Sequence, residues 1–319
     1  MLFHSYYRRE WRAAGTVCLG VWLCACGRAP VPSREFLPAD DPRAAEMVFV
    51  PAGPFRMGSS ESAISEIQKS YGGERVLYEN EYPERTVDLE AYYIDRHEVT
   101  QAEYKHFLDE TGREPPFVES VWATPFNWEG RAYPDGLADH PVVLVSYFDA
   151  LDYCHWARKT LPSEAEWEKA ARGVHGSIYP WGEEWDSSRL NSAASWAGRE
   201  LPTIDIWKEE WWSTIYHNQL RGKIATTKPV GSYPSGASPY GALDMSGNVF
   251  EWIDAWYDLY PGSKVTNPEF GQQYRVVRGG DWYLGRIFTR TPARLRAPPD
   301  HKVTTIGFRC VCRKADGDD

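Results

Sequence analysis

The densest chemistry in the chain follows a glycine pair. In RVVRGGDWYLGRIFTRTPARLR, residues 275–296, Gly279 and Gly280 lead into Asp281 and Trp282, with Arg278 just before them and Arg286, Arg290, Arg294 and Arg296 after. Guanidinium groups at this density either stack on aromatic rings and pair with buried acids, or line a groove that receives an anionic or peptide ligand. Arg278, Asp281, Trp282, Arg290 and Arg294 are the groove candidates. The run holds no Cys, His, Ser or Glu, so it has the look of a catalytic wall without a thiol, imidazole or serine to do the catalysis.

The rest of the chain narrows the field. It contains no G-x-S-x-G elbow, P-loop, G-x-G-x-x-G, H-E-x-x-H or paired C-x-x-C, which removes the serine-hydrolase, nucleotide-binding and common zinc signatures. The eight histidines are scattered; His97, His140 and His155 read as packed or solvated rather than ligating. A formal net charge of −10 repels nucleic acid, which needs a basic stripe. Trp207, Trp211 and Trp212 in WKEEWW either frame the groove, touch a membrane interface, or form an aromatic cluster under a loop.

These residues need elements to position them. Aromatic residues make up 14% of the chain, beside 26 glycines and 23 prolines, so short elements and many turns held by packed rings are expected. Met47 to Val50 reads as a strand and Pro51 to Gly53 as a turn. In RTVDLEAYYIDRHEVT, Val87, Leu89, Ala91 and Tyr93 alternate with polar or outward positions as a half-buried strand would. Three helices are marked by capping boxes: Thr100 with Glu103, Ser146 with Asp149, and Ser163 with Glu166, closed in the first and third cases by Gly112 and Gly173. After Gly173 the pattern thins into two long surface excursions, GSIYPWGEEWDSSRLNSAASWAG and WKEEWWSTIYHNQLRGKIATTKP, of the kind that is functional when ordered.

The N-terminus supplies an address. Arg8, Arg9 and Arg12 precede an apolar stretch from Ala13 to Ala25, too short for a bilayer span and the right length for a signal-peptide core. Leu23, Cys24, Ala25 and Cys26 resemble the bacterial lipobox. Residues 1–25 are thus expected to be a lipoprotein signal peptide, with Cys26 the lipidated residue. Acyl chains there would anchor the protein durably, and Gly27 rather than Asp favours the outer membrane, facing the periplasm or the cell surface. Residues 26–46 read as a Pro-rich extended tether, residues 47–313 as the folded domain, and 314–319 as an acidic tail. Of the six cysteines, Cys154, Cys310 and Cys312 remain in the domain, enough for one disulfide and one free thiol. Cys310 and Cys312 are too close in sequence to form a strain-free pair with each other.

Six blocks, EVTQAEYKHFLDETG, HPVVLVSYFDALDYCHWARKTLPSEAEWEKAARG, YPWGEEW, PVGSYPSGASPYGALDMSGNVFEW, RVVRGGDW and TTIGFRC, occur in the order and spacing of the formylglycine-generating enzyme family, also called sulfatase-modifying factor proteins. The resemblance covers about residues 47 to 313. It implies a single α+β domain of low regular secondary structure, related to the C-type lectin fold. It says less about activity, because the family spans formylglycine-generating oxidases, sulfoxide synthases and noncatalytic modules. The oxidases carry two cysteines after the glycine pair whose thiolates hold copper(I), a soft ion that takes soft sulfur. The matching positions here are Leu284 and Thr289, and the family's usual Ser after the glycines is Asp281. Nor does the iron-binding helical domain that the sulfoxide synthases need precede this one in the sequence. The resemblance pairs Cys154 with Cys310 and leaves Cys312 alone. It also implies structural calcium, held by the side chains of Asp244 and Glu251 and the carbonyls of Gly247 and Val249, all hard oxygens. A second family site matches Asn191 and Ser192, but its Asp-Gly-aromatic partner has no counterpart before Pro229.

The expectation is therefore an envelope lipoprotein whose domain binds a protein or glycan partner as an accessory module, with calcium and without copper. The alternative is a divergent oxidoreductase acting on a protein or small-molecule substrate through Asp281, Trp282 and the nearby arginines.

Overall fold

The computed structural model describes Leu37, residues 41–216 and residues 227–314. The expected signal peptide, Cys26, most of the tether and nearly all of the acidic tail lie outside the described residues, as does the side chain of Trp212. The last five residues of the stretch read as extended tether are instead a short helix, α1 (Pro42–Glu46), started by Asp41, whose carboxylate accepts the Arg43 N–H.

From α1 the chain enters β1 (Met47–Val50), β2 (Gly53–Met57), α2 (Glu61–Tyr71), β3 (Arg85–Leu89) and β4 (Tyr92–Asp95). The single alternating strand expected over residues 87–93 is in fact two strands in two sheets. β3 pairs with β2, Val87 opposite Phe55, and keeps the alternation. β4 lies between β1 and β9 (Val311–Arg313) and is buried along its whole length, because a central strand covered on both faces has no polar side.

The capping boxes form as read. Thr100, Ser146 and Ser163 each accept the N–H three residues on, while Glu103, Asp149 and Glu166 reach back to the cap, starting α3 (Gln101–Thr111), α4 (Tyr147–Trp156) and α5 (Glu164–Arg172). α2 gave no such signature, since Ser60 caps it through the N–H of Ala63 and no acid stands at that third position. α5 carries the expected apolar stripe of Trp167, Ala170 and Ala171, yet Glu164, Glu166, Glu168, Lys169 and Arg172 are buried too.

Short helices α6 (Ala193–Ala197) and α7 (Ile204–Ile206) follow, the latter running on as a π-helix over Trp207–Tyr216. The excursions are not wholly on the surface. Tyr179, Leu190, Trp207 and Trp211 within them are buried, as are Leu201 and Ile204 between them, because their large apolar side chains draw the backbone onto the body. The third sheet orders β7 (Leu295–Ala297), β6 (Arg275–Arg278), β5 (Phe250–Trp256) and β8 (Ile306–Gly307), with β5 and β8 parallel. About 28% of the described residues are helical and 17% lie in strands or bridges, so more than half of them are turn and irregular backbone around an aromatic core. Cys154 of α4 bonds Cys310 across 156 residues of sequence, with Cα atoms 5.7 Å apart, and Cys312 is free and buried.

Candidate functional site

The arginine run lies mostly inside the protein. Arg278, the last residue of β6, is fully buried; it pairs with Glu164 and Glu168 of α5 and donates Nη1 to the carbonyls of Thr291 at 3.1 Å and Ala293 at 2.8 Å. Burial alone would raise the Glu168 pKa, but the guanidiniums of Arg278 and Arg172 outweigh it and hold that carboxyl below its ordinary range. Arg290 forms a two-point pair with Glu81, at 2.6 and 3.0 Å. Arg294 grips Glu164 at 2.6 and 3.0 Å and lies 4.0 Å over the Tyr260 ring. Arg296 pairs with Glu269. Their partners sit on α2–β3 loops, α5 and the β5–β6 connection, so the run ties distant segments together. Arg278, Arg290 and Arg294 thus do not line an open groove. Arg286 differs: its guanidinium stands 3.9 Å over the ring of Tyr71, with no carboxylate within 4.0 Å among the described residues.

Asp281 and Trp282 are also buried, at 3% and 4% exposure. Asp281 caps the turn that follows it: Oδ1 accepts the N–H groups of Tyr283 at 3.0 Å and Leu284 at 2.8 Å. Burial pushes its pKa up to about 7, against those two bonds and a third from Thr305. Gly280 has φ +75°, and a Cβ there would lie 2.6 Å from Cγ2 of Thr289, so the turn closes directly on the second of the two positions that hold thiolates in the oxidases. Both positions are interior, Leu284 at 5% and Thr289 at 0% exposure. The free thiol, Cys312, packs elsewhere with Leu37, Met47 and Tyr93.

The LDMSGNVFEW stretch brings carboxylates together. Asp244, at φ +56°, accepts the Gly231 N–H on Oδ2 at 2.6 Å. Glu251 of β5 is buried in a two-point pair with Arg309 at 2.7 and 2.8 Å and also accepts Trp167 Nε1 at 2.7 Å. A third acid, which sequence reasoning missed, is Glu98. It is fully buried, accepts Asn248 Nδ2 on Oε1 at 3.1 Å, and has no partner for Oε2. Burial raises its pKa well above the ordinary value, and the neighbouring charges of Asp244 and Glu251 add to that against Arg309. Burial likewise raises Asp244. Three carboxylates face one guanidinium, an imbalance that a bound cation would relieve. Among the described residues no three His, Cys, Asp or Glu side chains are already grouped as a metal cage. A site of two carboxylates completed by the carbonyls of Gly247 and Val249 is of another kind; this hard donor set, with the orphaned oxygen of Glu98 nearby, fits calcium.

Asn191 and Ser192 offer less. The Asn191 side chain accepts Trp196 Nε1 at 2.9 Å and donates to Asn248 at 3.0 Å, while its carbonyl takes the Asn248 N–H at 2.9 Å. Its oxygens thus serve as a brace for the LDMSGNVFEW turn. Nothing in the local sequence around Glu98 marked it as part of a site; its signal lies in burial without a partner, which only the fold reveals.

A model of the sulfatase-modifying factor enzyme 1-like domain matches residues 33–314. The formylglycine-generating enzyme of Mycobacterium tuberculosis is 30% identical over 329 residues, covering 85% of this chain and 99% of that protein. Hercynine oxygenase from the same organism is 33% identical over 259 residues, 72% of this chain and 55% of its own length. The solved structure of PvdO from Pseudomonas aeruginosa superposes with a TM-score of 0.59 and 26% identity, over 83% of this chain and 93% of that one.

Proposed function

The chain belongs to the sulfatase-modifying factor enzyme 1-like family, and from that premise we propose that it is an accessory module of the bacterial envelope, binding a protein or glycan partner without copper chemistry. One observation carries the reading: buried Leu284 and Thr289 stand where thiolates would have to hold copper(I). An aliphatic side chain and a hydroxyl do not fit that soft ion. Cys26 would supply the lipid anchor and the outer membrane the location.

Calcium is proposed as a structural ion at Asp244, Glu251 and the carbonyls of Gly247 and Val249. When bound it supplies positive charge. The protein's own contribution is to hold hard oxygens on a turn whose tight backbone, with Gly247 at φ +80°, admits no side chain: a Cβ there would lie 2.3 Å from the Asn191 carbonyl oxygen.

A second reading, a divergent oxidoreductase acting on a protein or small-molecule substrate, rests on Asp281. A carboxyl held near pH 7 can exchange a proton under physiological conditions, although here it is enclosed by its own turn. The two readings part in one experiment. The bound metals of the purified domain are measured together with its oxygen consumption. The accessory reading expects calcium alone and no oxygen uptake; stoichiometric copper or iron with oxygen consumption overturns it in favour of the enzyme.

A further inference from the structure

The turn from Tyr283 to Phe288 is covered by a part of the chain that belongs to no sheet. Leu201, Ile204, Trp207 and Trp211 are buried at 3%, 3%, 6% and 0% exposure. The rings of Trp207 and Trp211 lie 5.7 and 6.2 Å from Tyr283, and Trp207 Nε1 donates to the Tyr283 carbonyl at 3.1 Å. Gly285 lies directly beneath the Trp207 ring, where a Cβ would make van der Waals contact at 3.4 Å. Between Leu201, Ile204 and Trp207 on one side and Arg286, Ile287 and Phe288 on the other, only about 10 Å³ of cavity is left.

Three features set this covering segment apart from ordinary core. It joins no strand ladder, so side chains rather than backbone pairing dominate its attachment. From Trp207 it is wound as a π-helix for ten residues, a geometry rare beyond a single turn and concentrated at functional sites. It also lies against the arginine of the run that has no acidic partner within 4.0 Å among the described residues, Arg286, whose Nε is buried without a hydrogen bond. A buried guanidinium edge of this kind is suited to a carboxylate, and the segment is itself a row of apolar anchors with acids between them, IDIWKEEW.

We propose that residues 201–211 are an intramolecular pseudo-ligand, occupying a binding face over Tyr283–Phe288 that accepts a peptide with the same aromatic or aliphatic anchors and, in addition, an acid that reaches Arg286, which no carboxylate of the resident segment does. The segment is displaced when such a peptide binds. This inference deepens the accessory reading, on which its physiological meaning rests, but its test uses no activity and can fail independently of that reading.

Native-state hydrogen exchange on the unmodified protein is the first arm. A separable occupant opens on its own, so amides of 204–211 exchange roughly 100-fold or more faster than those of β5 and β6. In the second arm, a labelled synthetic peptide of residues 201–211 is titrated into wild type and into the double variant Trp207→Ala, Trp211→Ala. An attached occupant competes at an effective concentration on the order of millimolar, so the peptide binds the variant at least about ten-fold more tightly than wild type. A second peptide carrying one added glutamate binds the variant about ten-fold more tightly again, and adding Arg286→Gln removes that gain. The proposal is overturned if the segment exchanges only with the core, if the folded variant binds the peptide no better than wild type, or if the double variant does not fold, because a separable occupant leaves the body intact.

Discussion

Replacing Glu81 with alanine should cost the domain about 3–5 kcal/mol, the range for leaving one half of a buried ion pair without its partner. Glu81 and Arg290 have side-chain exposures of 0% and 1% and meet at 2.6 Å, and Glu81 also takes the Ser59 hydroxyl at 2.8 Å. Removing the carboxylate strands a guanidinium that has only the Ile287 carbonyl, at 2.9 Å, and the ring of Tyr78, 5.5 Å away, to face. For a domain of this size the loss corresponds to a fall in melting temperature of roughly 6 to 20 °C. The control is Glu61→Ala: that side chain is 61% exposed beside Arg75, and its loss should stay within about 1 kcal/mol. Urea denaturation of both variants and of wild type, read by tryptophan fluorescence, supplies the comparison. A loss below about 1 kcal/mol for Glu81→Ala would refute the assignment of Arg290 to the framework, since an arginine awaiting a ligand does not depend on an internal acid.

Other consequences follow from the same geometry. Glu98 and Asp244 have raised pKa values in the fold, so the native state keeps protons that the unfolded chain has released. Without calcium, stability should therefore decline as pH rises from the ordinary carboxylate range toward the raised values. Calcium at about 100 times its dissociation constant should restore about 2.7 kcal/mol, with the gain growing across that window; thermal melts with calcium and with chelator from pH 5 to about 8 check this. Cys154→Ser opens a loop closed over 156 residues and should cost up to about 5 kcal/mol by chain-entropy reasoning, measured by denaturant unfolding against the oxidised wild type. Gly280→Ala forces a Cβ to 2.6 Å from Thr289 Cγ2 at φ +75°, which should cost about 2 kcal/mol or more and lower the melting temperature accordingly.

How much of this was legible beforehand depended on whether the signal was local. Capping boxes at Thr100, Ser146 and Ser163 are written within four residues, and those helices form where the pattern puts them. The break between β3 and β4 was invisible because Tyr92 and Tyr93 suit a half-buried strand as well as a fully buried one, and only pairing with β1 and β9 decides. The arginines illustrate the same limit. Arg278 and Arg286 look alike in sequence, but one meets Glu164 and Glu168 from a helix more than a hundred residues earlier, while the other meets an aromatic ring. Glu98 joins Asp244 through long-range folding alone, so its place beside the expected calcium donors could not be read from RHEVT.

The central proposal is that Leu284 and Thr289 leave this member of the family without a thiolate pair where copper would have to be held. The most direct measurement is an anaerobic titration of the purified domain with copper(I) in competition with a chromogenic chelator. The account predicts that the chelator keeps the metal and that Leu284→Cys, Thr289→Cys, if folded, withdraws one equivalent. One equivalent of copper(I) withdrawn by the unaltered protein would contradict it.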